Sequence, residues 1–164
     1  MTTSAPPVVV RPVEPADEPE WRKLWAGYLA FYRQILEPDV IESTWRRLLD
    51  PATRDMIGRV AVVERRVVGI LHAVVHANTW SRAPDCYLED LFVDPAQRRH
   101  GAGRALIEAL ADEGRTAGWR RIYWRTAADN ATAQALYDDV ARRSGFLTYM
   151  LDLTARQGCG RTMA

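Results

Sequence analysis

Residues 98–104 read "RRHGAGR" and follow an apolar, β-type run, "YLEDLFV", at 87–93. They lead into "ALIEAL", which has helical periodicity. A helix that starts here leaves the N–H groups of its first turn unpaired and partially positive. Gly101 and Gly103 let a ligand approach the backbone, and Arg98, Arg99 and Arg104 add full charges beside it. That combination suits a pyrophosphate. It is not a dinucleotide GxGxxG turn, which needs glycine where Leu106 stands, nor a Walker loop, which needs Gly-Lys-Ser/Thr. The turn by itself leaves two readings open, an anion cradle or a tight turn with solvated arginines.

Other chemistry-bearing residues carry less. His72 and His76 are four apart, which on a helix would suggest a metal pair. On a strand they stand about 13 Å apart, too far for one ion, so no metal is expected. Cys86 and Cys159 form neither a CxxC nor a Cys/His ligand set, and Cys86 reads as a small buried hydrophobe.

The 164 residues suffice for one domain, and 48% hydrophobic with 26% charged residues is a globular composition. The formal net charge of +1 gives no global field for nucleic acid or an acidic partner, so an anion site must be local. No signal-peptide pattern and no membrane-length apolar run occur, which places the protein in the cytoplasm. Residues 1–7 and 154–164 are expected to be flexible ends around a single domain at 8–153.

Between those ends, strands are expected at 8–13, 59–64, 67–77, 86–93, 120–126 and 145–153. Helices are expected from Asp17 through "EWRKLWAGYLAFYRQIL", at 39–50, at 101–117 with Gly118 closing it, and at 130–143 with Asn130 as N-cap. The order β-α-α-β-β-β-α-β-α-β predicts an α/β fold. Its centre would be a mixed, mostly antiparallel twisted sheet of about six to seven strands, with helices on both faces.

The run "YLEDLFVDPAQRRHGAGRALIEAL" resembles the coenzyme A-binding motif of the GNAT superfamily of N-acetyltransferases, with Arg98, Gly101 and Gly103 at its signature positions. "DNATAQALYDDVARRSGF" is similar to the superfamily's later motif, through Asn130, Ala133, Tyr137, Gly145 and Phe146. The "YLEDLFV" form is most similar to spermidine/spermine N-acetyltransferases and to small histone- or polyamine-acetylating relatives. The resemblance implies that the strands at 86–93 and 121–125 splay apart around the pantetheine arm of acetyl-CoA. It implies that Leu91, Phe92 and Val93 line that arm through their backbone, and that amides of Arg98, Arg99, His100, Gly101, Ala102, Gly103 and Arg104 hold the pyrophosphate. Asn130 and Ala133 would contact the cofactor and Tyr137 would sit near its sulfur. His100 departs from the usual Gly or Lys, which matters little where backbone does the binding. The short tail implies a final strand that is absent or exchanged with a partner subunit, and a homodimer.

Given that resemblance, the expected reaction is direct transfer of an acetyl group to a primary amine of a polyamine-like small molecule or a protein lysine. A lysine-like amine, with an ordinary pKa of about 10.4, must lose a proton before it attacks a thioester. Glu89 is the expected base, directly or through water. In an unbroken strand it shares a face with Tyr87, Leu91 and Val93, opposite Asp90; a bulge would change this. A backbone N–H at Leu91 or Phe92 would stabilise the oxyanion, and Tyr137 would protonate the leaving thiolate. Tyr137 also fits a plain core stripe with Ala133, Leu136 and Val140. For the acceptor, the segments 28–33 and 37–46 and the loop around Trp80 are expected, with Glu37, Asp39 and Glu42 attracting a cation. The competing readings are a non-catalytic acyl-CoA-binding or sensing module and, less in keeping with the charge, a nucleic-acid binder.

Overall fold

The computed structural model describes residues 6–98 and 100–153. The expected flexible ends at 1–5 and 154–164, with Cys159, lie outside the described residues, and so does Arg99.

The centre of the fold is a hairpin of β2 (Met56–Val63) and β3 (Arg66–His76). Its two turn residues, Glu64 and Arg65, both take left-handed backbone at φ 47° and 66°, the geometry that matches a two-residue turn to strand twist. β1 (Val9–Pro12) pairs antiparallel with β2, and β4 (Asp85–Val93) antiparallel with β3. β5 (Arg121–Tyr123) joins β4 in parallel, giving the order β1-β2-β3-β4-β5.

Both faces of the sheet are covered. The apolar run of β3 therefore does not alternate with polar residues. Ile70 and Val60 face α1 (Glu18–Phe31) and α2 (Pro38–Leu49), where Trp21, Trp25 and Trp45 fill the space. Leu71 and Ala61 face α3 (Ala102–Ala117), whose Leu106, Ile107 and Leu110 form the second core. α4 (Ala131–Val140) leans on that second core through Leu136, Tyr137 and Val140. The packing is tight where α1 crosses β4: a Cβ on Gly27 would stand 2.9 Å from the Phe92 ring.

The expected mixed α/β sheet with helices on both faces is what forms, with two corrections. The sheet has five strands among the described residues, not six or seven. The strand expected at 145–153 is absent from it, and Phe146, Leu147, Tyr149, Met150, Leu151 and Leu153 stand 79% to 89% exposed. Alternation gives such a segment strand propensity, but a strand also needs a ladder partner, and this segment has none among the described residues.

Candidate active site

The glycine turn is built as an open helix end. Gly101 is the N-cap of α3 at φ 78°, a left-handed conformation that glycine adopts without strain. The first helical bond runs from the Ala105 N–H to the Gly101 carbonyl at 2.9 Å, so the amides of Ala102, Gly103 and Arg104 precede any intrahelical acceptor. No side chain caps this end and no acidic residue lies in its first turn. A Cβ on Gly101 would meet nothing within 4 Å, which leaves the space in front of the turn open. Arg98 and His100 are exposed beside it. Arg104 is drawn back to Asp139 of α4 at 2.7 Å, which ties the turn to that helix.

β4 is paired on its outer side only over Asp85–Tyr87, opposite Arg121–Tyr123. From Leu88 to Val93 that edge carries no strand, so a V-shaped gap opens between β4 and the chain after β5. The gap begins at a bulge. His72 opposes Asp90 while Ala73 opposes Leu88, which leaves Glu89 without a partner. This corrects the unbroken alternation: Leu88, not Glu89, shares the α3 face with Leu91 and Val93, and Phe92 goes to the α1 face.

A buried polar chain fixes the bulge. The Trp21 indole N–H donates to His72 Nε2 at 2.8 Å. An indole only donates, so Nε2 is the acceptor and the His72 proton sits on Nδ1, 3.0 Å from Asp90 Oδ2. His72 is 2% exposed. With Asp90 held inward, the adjacent Glu89 is left unpaired at the bulge where the gap begins. Burial first, and the neighbouring Asp90 second, hold the Glu89 carboxyl above its ordinary value, against the opposing pull of Arg125 and His72. His76 is engaged elsewhere, with Tyr123 Oη 3.0 Å from its Nε2, so the two histidines share no ion. Among the described residues no group of His, Cys, Asp and Glu could hold a metal.

The other wall of the gap is α4 and the segment after β5. Asn130 caps α4, its side chain accepting from the Ala133 N–H at 3.3 Å, so two of the predicted cofactor residues form one turn. Tyr137 packs its ring 5.3 Å from Trp124, and burial pushes its phenol up to about 12. A cleft of about 970 Å³ lies between β5, α4 and residues 142–148. The Thr126 hydroxyl lines this cleft, buried and without a partner, an orphan donor of the kind a bound ligand satisfies. An open glycine cradle and a free strand edge together fit an extended, pyrophosphate-bearing ligand.

Two groups escaped the reading of the sequence. Tyr87 and Tyr123 are paired across β4 and β5 with rings 5.0 Å apart. Arg125, two residues beyond Tyr123, lays its guanidinium 5.6 Å from the centre of the Tyr87 ring and donates from Nε to Tyr87 Oη at 2.9 Å. No local pattern marks Arg125 among so many arginines; only strand pairing brings it to Tyr87. Conversely, of the acidic residues expected to attract the acceptor, one is already occupied and two are simply exposed. Glu42 is bound by Arg22 at 2.6 Å and Arg46 at 3.3 Å, and Glu37 and Asp39 are exposed at the start of α2.

Comparison with known proteins converges on one family. The sequence pattern of the acetyltransferase (GNAT) family matches residues 18–141. A D-amino-acid N-acetyltransferase of Saccharomyces cerevisiae is 33% identical over 144 residues, covering 87% of this chain and 89% of its own. A thialysine N-epsilon-acetyltransferase of Caenorhabditis elegans is 26% identical over 122 residues, covering 71% of this chain and 76% of its own. Among solved structures, an aminoglycoside N-acetyltransferase in complex with CoA superposes with a TM-score of 0.70 at 18% identity, covering 94% of this chain and 100% of that one.

Proposed function

The chain belongs to the acetyltransferase (GNAT) family, and we propose that it moves an acetyl group from acetyl-CoA directly to the primary amine of a small molecule. The observation that carries this reading is the bulge at Glu89 opening onto an unpaired β4 edge, with the bare α3 N-terminus at one end and Tyr137 across the gap. Acetyl-CoA supplies an activated thioester. The amides of Ala102, Gly103 and Arg104 would hold its pyrophosphate, and the free edge from Leu91 to Val93 would take its arm as a further strand partner. Asn130 and Ala133 would line it from α4.

The chain's own groups then have distinct tasks. Glu89 takes a proton from the arriving ammonium, directly or through water, because only the neutral amine has a lone pair to form the new C–N bond. A backbone N–H at Leu91 or Phe92 donates to the oxyanion that forms as the amine adds to the carbonyl carbon. As the C–S bond breaks, Tyr137 gives its proton to the departing thiolate, and the second proton shed by the nitrogen as it becomes an amide passes through solvent and restores the phenol. Its burial keeps it protonated until then. The yeast relative is named for D-amino acids and the nematode relative for thialysine, which supports a small molecule over a protein lysine as acceptor.

We read the protein further as a homodimer. Apolar side chains stand in a row along 146–153, and the outer edge of β5 is unpaired among the described residues. A second copy's 145–153 segment on that edge would satisfy both. The direct test of the main reading is release of free thiol from acetyl-CoA, dependent on added amine. CoA-binding heat without amine-dependent thiol release would favour the sensing module instead.

A further inference from the structure

Resting on that reading of the site, we propose that the acceptor is an α-amino acid, its carboxylate held by Arg125 while its amine faces Glu89. An exposed arginine is ordinarily mobile or paired. Arg125 is neither: the Tyr87 ring lies under its guanidinium and the Tyr87 oxygen takes its Nε–H. Those two contacts pin the plane of the group while leaving its terminal nitrogens outward. Nη1 meets only the Met150 sulfur at 3.6 Å, a weak acceptor. Among the described residues no carboxylate pairs with Arg125, whereas its neighbours Arg120 and Arg121 both close on Asp85, at 2.7 Å and 3.1 Å. A planar fork with unused parallel N–H groups is the geometry that takes a carboxylate through two hydrogen bonds.

The arrangement of charge points to the same class. Residues 121, 123 and 125 alternate onto the face that carries Tyr87, the face of the sheet on which α1 and α2 pack. The cation of Arg125 and the carboxyl of Glu89 lie close enough to act on one another, which gives the site one positive and one negative pole, while Asp90 is taken up by His72. A polyamine brings positive charge to both ends and would be repelled at Arg125. A zwitterion matches both poles, and the carboxylate then sets which end of the molecule reaches Glu89.

The test compares matched acceptors: phenylalanine, its amide and phenethylamine, and likewise lysine, its amide and cadaverine, with spermidine added. Rates are read by thiol release, and CoA titration of the same preparations reports the cradle independently. The free acids are expected to exceed their amides by at least about 10²-fold in kcat/KM, mostly through KM. In Arg125→Gln that ratio falls to near one, and Arg125→Lys recovers part of it, with CoA affinity retained in both. Wild-type enzyme that turns over amides, diamines or spermidine as well as the acids overturns the carboxylate clamp and leaves acetyl transfer standing. A ratio unchanged in Arg125→Gln overturns the assignment to Arg125. Failure to release thiol with every amine would remove the transfer reading and this proposal with it.

Discussion

Tyr137 lies on a stripe that periodicity alone would assign to the core, and its ring does pack there, against Trp124. The same burial that makes it a core residue raises its phenol to about 12, above the thiol it would protonate, whose ordinary value is near 8.5. Tyr137→Phe removes one oxygen and little packing. We expect kcat to fall about 10²-fold with little change in KM, measured at saturating amine and acetyl-CoA. Wild-type turnover in this variant would show that the phenol donates no proton. Glu89 makes a second prediction. Its carboxyl is raised, first by burial, so the basic form is lost as pH falls through a value above the ordinary carboxylate range. The acid limb of kcat/KM should therefore sit above about pH 4.3, and Glu89→Gln should abolish it and lower the rate about 10²-fold or more. A profile whose acid limb is identical in wild type and Glu89→Gln would assign the base elsewhere.

At the scale of elements, the cradle depends on one left-handed residue at the start of α3. Gly101→Ala places a Cβ at φ 78°, which costs about 1–2 kcal/mol whatever the space around it. That space is empty of protein, so the loss of stability should be no greater. A ligand in front of the turn would meet the new methyl. We expect a modest fall in melting temperature and a fall of about tenfold or more in CoA affinity by calorimetry. Unchanged CoA affinity would move the pyrophosphate away from this helix end. The bulge in β4 makes a comparable point about elements. It leaves Glu89 unpaired where the gap begins, while His72 and Trp21, 51 apart in the chain, hold Asp90 inward. Pairing with β5 runs only from Asp85 to Tyr87, and Asp85 is clamped at its start by Arg120 and Arg121.

For the whole molecule, the exposed row from Phe146 to Leu153 is the feature a lone chain leaves without a partner. Burying six such side chains is worth on the order of 10 kcal/mol in gross transfer free energy, comparable to the cost of bringing two chains together. We expect a dimer by light scattering, and a monomer when Leu147, Tyr149 and Leu151 are all changed to Ser. A monomeric wild-type protein at micromolar concentration would contradict strand exchange.

Much was legible in local pattern. The glycine turn, the Asn130 cap, the aromatic-rich helix α1, the shorter α2 and the hairpin all form close to where propensity put them, because each depends on neighbours within a turn or two of the chain. The family resemblance carried by "RRHGAG" and "NATAQALY" is of the same kind, since it is written in consecutive residues. What tertiary structure decided are the relations between strands. It turned Glu89 out of the alternation, tied Glu42 to two arginines, brought Arg125 onto Tyr87 and left 145–153 without a partner. Side-chain direction along a strand is local only while pairing is regular. One unpaired residue shifts the alternation beyond it, and the choice of partner rests on contacts distant in sequence.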